Sequence, residues 1–135
     1  MDTILFGIDV LLMQVEKWRS KKLALVTNNA ACTAGGTLSR VDLQQAGFNL
    51  VVLFSPEHGL TAKGADGAAQ QNGLDTVTGL PVISLYGDHF RPSAVELSGI
   101  DIVLFDIPDA GCRFYTYLWT LTHVMEACAS AGKKL

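Results

Sequence analysis

Four runs of apolar residues in this chain each break abruptly into polar groups, and no other feature constrains its fold as much. Leu50-Val51-Val52-Leu53-Phe54 runs into Ser55-Pro56-Glu57-His58-Gly59. Likewise Leu23 to Val26 runs into Thr27-Asn28-Asn29, Val82 to Leu85 into Tyr86-Gly87-Asp88-His89, and Ile100 to Phe105 into Asp106-Ile107-Pro108-Asp109. Short continuous apolar runs read as parallel strands buried on both faces, and parallel strands need crossovers between them. The expected class is therefore α/β, with a mainly parallel sheet. Ligands of such sheets bind outside the carboxyl ends of the strands, so the four polar strand ends outline one candidate site.

The segments between the runs carry helical spacing. Ile8, Leu11, Leu12, Val15 and Trp18 form one apolar stripe behind Asp9, which is placed to cap that helix. A second helix is predicted from Thr37, with Leu38, Val41 and Leu43 inward, ending at Gly47. Ser93 and Glu96 have the spacing of a capping box, and Gly99 closes that short helix. The last helix is predicted over about 114–131, with Leu118, Leu121, Met125 and Cys128 inward and Thr122, His123 and Glu126 outward. Ser55 to Pro81 has little periodicity, and a connection of that length is expected to be functional or mobile. Gly132 then stops the last helix, and Lys133-Lys134-Leu135 reads as the first step into a further strand. The expectation is a single domain over residues 1–135, truncated before its last strands.

Charge and cysteine usage remove several function classes. A formal charge of -3, with Arg19-Ser20-Lys21-Lys22 as the longest cationic cluster, leaves no basic stripe for nucleic acid. Cys32, Cys112 and Cys128 are odd in number and far apart, which predicts reduced, mostly buried thiols rather than a disulfide framework or a zinc site. His58, His89 and His123 show no ligand spacing, so no metal is expected. Neither a G-x-G-x-x-G nor a P-loop motif follows any strand, so no nucleotide cofactor is expected. No apolar stretch approaches the ~20 residues that span a bilayer. The start Met1-Asp2-Thr3-Ile4 lacks a basic leader. The expected location is cytoplasmic, or periplasmic or secreted where a signal peptide has been removed. Oligomeric state is not legible.

The chemistry concentrates at two strand ends. Glu57 stands between Pro56, which removes a backbone donor, and Gly59, which permits a sharp turn. In a partly desolvated cleft its pKa is expected to rise, which suits a general acid; the plainer reading is a loop cap or an ion pair with Arg91 or Arg113. Asp106 and Asp109 flank Pro108 ahead of Arg113, and this group is suited to positioning a substrate hydroxyl, binding a cation or mutual pairing. Phe114, Tyr115, Tyr117 and Trp119 cluster at the start of the last helix, divided between core packing and faces on which a sugar ring can stack.

Several of these segments together resemble one family. Ser55-Pro56-Glu57-His58-Gly59, Thr78-Gly79-Leu80-Pro81-Val82, Ser84-Leu85-Tyr86-Gly87 and the run from Asp106 to Arg113-Phe114-Tyr115-Thr116-Tyr117 are similar, in order and spacing, to the bacterial exo-β-N-acetylmuramidases. The resemblance runs from Gly7 to Ala127. It implies a Rossmann-like three-layer sandwich, with a smaller C-terminal α/β domain of the family absent from this chain and a cleft where the two meet. It also implies a glycoside hydrolase of cell-wall recycling that releases terminal N-acetylmuramic acid from the non-reducing end of peptidoglycan fragments, without a cofactor. Glu57 matches the family's proposed catalytic carboxylate, with proton donation to the glycosidic oxygen as its implied role. Asp106 or Asp109 is the candidate second carboxylate. Asn28, His58, Tyr86, Arg113 and Tyr115 carry over as cleft-lining, substrate-binding residues, and the Arg113 guanidinium suits the lactyl carboxylate. The sequence departs from the family at Pro108 and Ala110, where many relatives have Gln and Val, and at Thr61-Ala62-Lys63, where Arg-Gly is common. The alternative from a different class is a non-catalytic module that recognises muropeptides or another small acidic ligand.

Overall fold

The computed structural model describes residues 4–135. Five strands form one sheet: β1 (Leu23–Thr27), β2 (Leu50–Ser55), β3 (Gly73–Leu74), β4 (Pro81–Ser84) and β5 (Ile102–Asp106), in the order β3-β4-β2-β1-β5. Every pairing is parallel except that of β3 with β4. The expected α/β class and Rossmann-like arrangement are thus present. β1 is an interior strand, with β2 on one side and the edge strand β5 on the other, and all five of its residues are buried. Strand order reverses between β1 and β5, and the crevice beyond a reversal of this kind is where such sheets bind ligands.

Alternation along the strands divides the core into two layers. Ala24, Val26, Val52, Phe54 and Val103 face one side, under Leu97 of α4 (Ala94–Ser98) and Val124, Ala127 and Cys128 of α5 (Tyr117–Ser130). Leu23, Leu25, Leu53, Val82 and Ile102 face the other side, under Ile8 of α1 (Gly7–Leu12) and Leu43 of α3 (Ser39–Gln45). Helix, sheet and helix make the three layers.

Local chemistry explains most element ends, with four departures from expectation. The first helix is broken into α1 and α2 (Val15–Trp18), and Asp9 is its third residue rather than its cap. The Asp9 carboxylate accepts the Phe6 N–H at 2.8 Å and also that of Ala34 at 3.1 Å, tying the helix to the turn after β1. Secondly, α3 begins at Ser39 and not at Thr37. By contrast the Ser93 and Glu96 capping box forms as expected, with reciprocal bonds of 3.2 and 2.7 Å.

The third departure concerns α5, which starts at Tyr117 and buries Thr120, Val124, Ala127 and Cys128. Leu118 and Met125, expected inward, are 60% and 53% exposed. Small side chains on the buried face let the helix lie close to the sheet, which larger ones would prevent. Lastly, only Cys128 is buried among the three thiols; Cys32 is half-buried and Cys112 exposed. Lys134 forms a parallel bridge to Ile102 on the outer edge of β5, as the further strand predicted there would. Among the described residues no helix is long and apolar enough to cross a membrane.

Candidate active site

Glu57 follows the end of β2, where the chain turns sharply. His58 and Gly59 both take left-handed conformations, with φ of 68° and 73°. That is an uncommon state for a histidine, and here a side-chain bond supports it: His58 Nδ1 lies 2.8 Å from the Gly64 carbonyl. A carbonyl oxygen only accepts, so Nδ1 carries the proton and Nε2 is left toward Asp66, 3.7 Å away.

This turn buries the Glu57 carboxylate among donors. Glu57 is 7% exposed. Its Oε1 accepts the Gly67 N–H at 2.8 Å, and its Oε2 accepts the Thr116 hydroxyl at 2.7 Å. Burial pushes its pKa up, but the Thr116 hydroxyl, the Gly67 N–H, the Tyr86 phenol and the nearby His58 together outweigh burial and hold it below the ordinary carboxylate value. The rise expected from desolvation is therefore reversed, because burial came with hydrogen-bond donors rather than with apolar contacts. The ion pair with Arg91 or Arg113 does not form either; Arg91 pairs with Glu126 instead. Tyr86 shows the reciprocal effect, its pKa raised first by its bond to Glu57 and then by burial.

In front of this carboxylate lies a cavity of about 500 Å³, within the range of small-ligand sites. Asn28, Glu57, His58, Asp109 and Tyr115, all expected from the sequence, line it together. Asn28 directly follows β1 and is fully buried; its Nδ2 donates to the Tyr117 hydroxyl at 3.2 Å while its Oδ1 accepts the Ala30 N–H at 3.0 Å. Burial is the main reason the Tyr117 pKa is raised. Asp109 accepts the Gly111 N–H at 2.6 Å on the exposed loop after β5.

Three expected residues stand apart from that lining. Asp106, opposite Thr27 in register, has a buried Oδ2 without a hydrogen-bond partner. Tyr86 lines a smaller adjoining cavity with Phe90, Thr116, Trp119 and His123. Arg113 is exposed and lines a neighbouring cavity with Asp109, Tyr115 and Tyr117. Thr116 and Gly67 were given no role at the sequence level, and Tyr117 entered only as one of the aromatic residues on which a sugar ring can stack, not as a partner of Asn28. Thr116 carried one local signal, a small hydroxyl residue between two tyrosines at a helix start; Gly67 carried none. Among the described residues no group of three or more His, Cys, Asp or Glu gathers as metal ligands.

Comparison with known proteins converges with this geometry. Residues 23–135 match the family model described as exo-beta-N-acetylmuramidase NamZ, N-terminal. The chain is 39% identical over 129 residues to the peptidoglycan beta-N-acetylmuramidase NamZ of Bacillus subtilis (strain 168), covering 93% of this chain and 31% of that protein. Crystal structures of two DUF1343 family proteins from Bacteroides fragilis NCTC 9343 share the fold. One has a TM-score of 0.82 at 38% identity, covering 97% of this chain and 33% of that one. The other has a TM-score of 0.77 at 30% identity, covering 99% and 33%. The chain thus spans about a third of the length of these relatives. Its sheet, the turn that buries Glu57 and the aromatic start of α5 all fall inside the matched residues, and the chain belongs to the NamZ exo-β-N-acetylmuramidase N-terminal family.

Proposed function

We propose that this chain forms the Glu57 side of the active site of a glycoside hydrolase acting on peptidoglycan, one that releases terminal N-acetylmuramic acid from the non-reducing end of cell-wall fragments during wall recycling. The observation that carries this reading is a buried carboxylate, held by donors on both oxygens, facing a cavity at the sheet's topological switch point. Kinship to a peptidoglycan beta-N-acetylmuramidase supports the substrate class. Glycosidases of this general kind work with a pair of carboxyl groups across the scissile bond. Glu57 is the reacting group of the pair on this chain. Asp109 is the better-placed second carboxylate, since it lines the same cavity and Asp106 does not. Tyr115 and Tyr117, with ring centroids 5.6 Å apart, offer faces for a sugar ring. Arg113, which lines the neighbouring cavity, is the candidate cation for the lactyl carboxylate.

The test is release of free N-acetylmuramic acid from a MurNAc-GlcNAc disaccharide. The protein that carries this chain is compared with its Glu57→Gln variant and with residues 1–135 alone. Loss of at least ~100-fold in the variant is expected, the scale of a missing acid-base group, together with little turnover by the isolated 135 residues. Intact disaccharide binding without any release would transfer the reading to a recognition module, because recognition tolerates an amide where catalysis needs a carboxyl group.

A further inference from the structure

Thr116 stands where a helix cap belongs, immediately before Tyr117, yet its hydroxyl makes no bond to a helix N–H. That hydroxyl is diverted 2.7 Å to Glu57 Oε2, a residue 59 positions away. The Thr116 carbonyl still serves the helix, accepting the Thr120 N–H at 2.9 Å, so the residue is anchored while its side chain serves the site. On the other oxygen, Gly67 donates a backbone N–H from the segment that folds back after the Glu57 turn. A backbone N–H can only donate, so Oε1 cannot carry a proton toward Gly67, and a proton on Oε2 toward Thr116 would turn that hydroxyl from donor to acceptor.

We propose that Thr116 is a positioning residue which, with the Gly67 N–H, keeps Glu57 in its ionised, accepting form and aims it into the cavity, so that a sugar bound there meets a carboxylate rather than a carboxylic acid. An ionised carboxylate in that place can oppose the positive charge that develops on a sugar ring in glycosidic cleavage. The surrounding titratable groups come from every neighbouring element. His58 and Tyr86, after β2 and β4, favour the charge. Asp66 in the returning loop and Asp109 after β5 contribute carboxyl groups, and Tyr115 ahead of α5 and Tyr117 at its start contribute phenols. The two donors therefore act against burial.

The decisive measurement is a carbon-13 carboxyl NMR titration of Glu57 in this chain, in Thr116→Val and in Thr116→Ser. Glu57 in the unchanged chain is expected to titrate below the ordinary glutamate range. Thr116→Val keeps the shape and removes the hydroxyl, and is expected to raise the midpoint by about one pH unit, the equivalent of one hydrogen bond to a charged group. Thr116→Ser restores the hydroxyl and is expected to restore the midpoint. An unchanged midpoint in a folded Thr116→Val chain overturns the proposal, as does a Glu57 that titrates above the ordinary range in the unchanged chain. Thr116→Ala gives the same comparison should the valine chain fail to fold. The consequence for catalysis rests on the reading of Glu57 as the reacting carboxylate. The titration reads the carboxyl itself, so absence of muramidase turnover would leave its outcome intact.

Discussion

Two carboxylates withdrawn from water in this molecule are kept ionised by the same means for different ends. Asp75 is buried against the equally buried Arg40, with Arg40 Nε donating at 2.8 Å and the Thr78 hydroxyl at 2.6 Å. Burial raises its pKa, yet Arg40, Thr78 and the Val77 N–H together leave it below its ordinary value of 3.8. Glu57 likewise lies below its ordinary value of 4.5, but faces a cavity instead of a cation. A carboxyl whose pKa is lower in the folded chain stabilises the fold above its unfolded pKa and loses that contribution as pH falls through the folded one. The urea midpoint is therefore expected to hold near neutral pH and to decline once pH drops below 4.5 and then 3.8, the two ordinary values. Asp75→Ala strands a buried guanidinium, and equilibrium unfolding is expected to show a loss of about 3–5 kcal/mol. Nothing in the spacing of Arg40 and Asp75 distinguishes this pair from surface charges. Their burial depends on α3 meeting the turn before β4, a contact between distant segments.

Among the elements, the segment between β2 and β4 departs most from regular structure and bears most directly on the site. Its lack of periodicity was evident in the sequence; its course was not, because it is held by isolated contacts. Gln70 donates its backbone N–H to the Tyr86 carbonyl at 3.2 Å, and Gly87 lies against the same stretch. Gly87 has a φ of 117°, and a Cβ there would come 2.7 Å from Ala69 Cβ and 3.0 Å from its Cα. Gly87→Ala is expected to unseat the returning loop, at a cost of about 1–3 kcal/mol for a residue forced into a sparsely populated conformation. Proteolytic nicking within residues 62–70 should increase while core amides keep their exchange protection. The face of α5 was misread for a related reason. Apolar residues occur all around this helix, so the periodicity left its inward stripe ambiguous, and the sheet selected the side bearing Thr120 and Ala127.

At the scale of the whole molecule, an apolar surface flanks the candidate site. Phe114, Leu118 and Trp119 are exposed, and the last two line a cavity of about 890 Å³ with Phe105 and Ile107 at the β5 side. Contiguous apolar surface of this sort binds hydrophobic dyes. Residues 1–135 are expected to enhance dye fluorescence at neutral pH. A Leu118→Ser, Trp119→Ser variant should lower that signal while changing unfolding free energy by no more than about 0.5 kcal/mol, as is usual for surface positions. The parallel strands, their buried alternation and the polar residues at their ends were determined by the sequence alone, since each follows from side-chain pattern within a few residues. The same local logic located Glu57 at a strand end and formed the Ser93 cap. Only the tertiary structure decided which donors reach that carboxylate, and hence the direction of its pKa. Thr116 and Glu57 are 59 residues apart, and Asn28 and Tyr117 are 89 apart. A titrating group responds to what lies within a few ångströms of it in space, and chain periodicity carries no record of those neighbours.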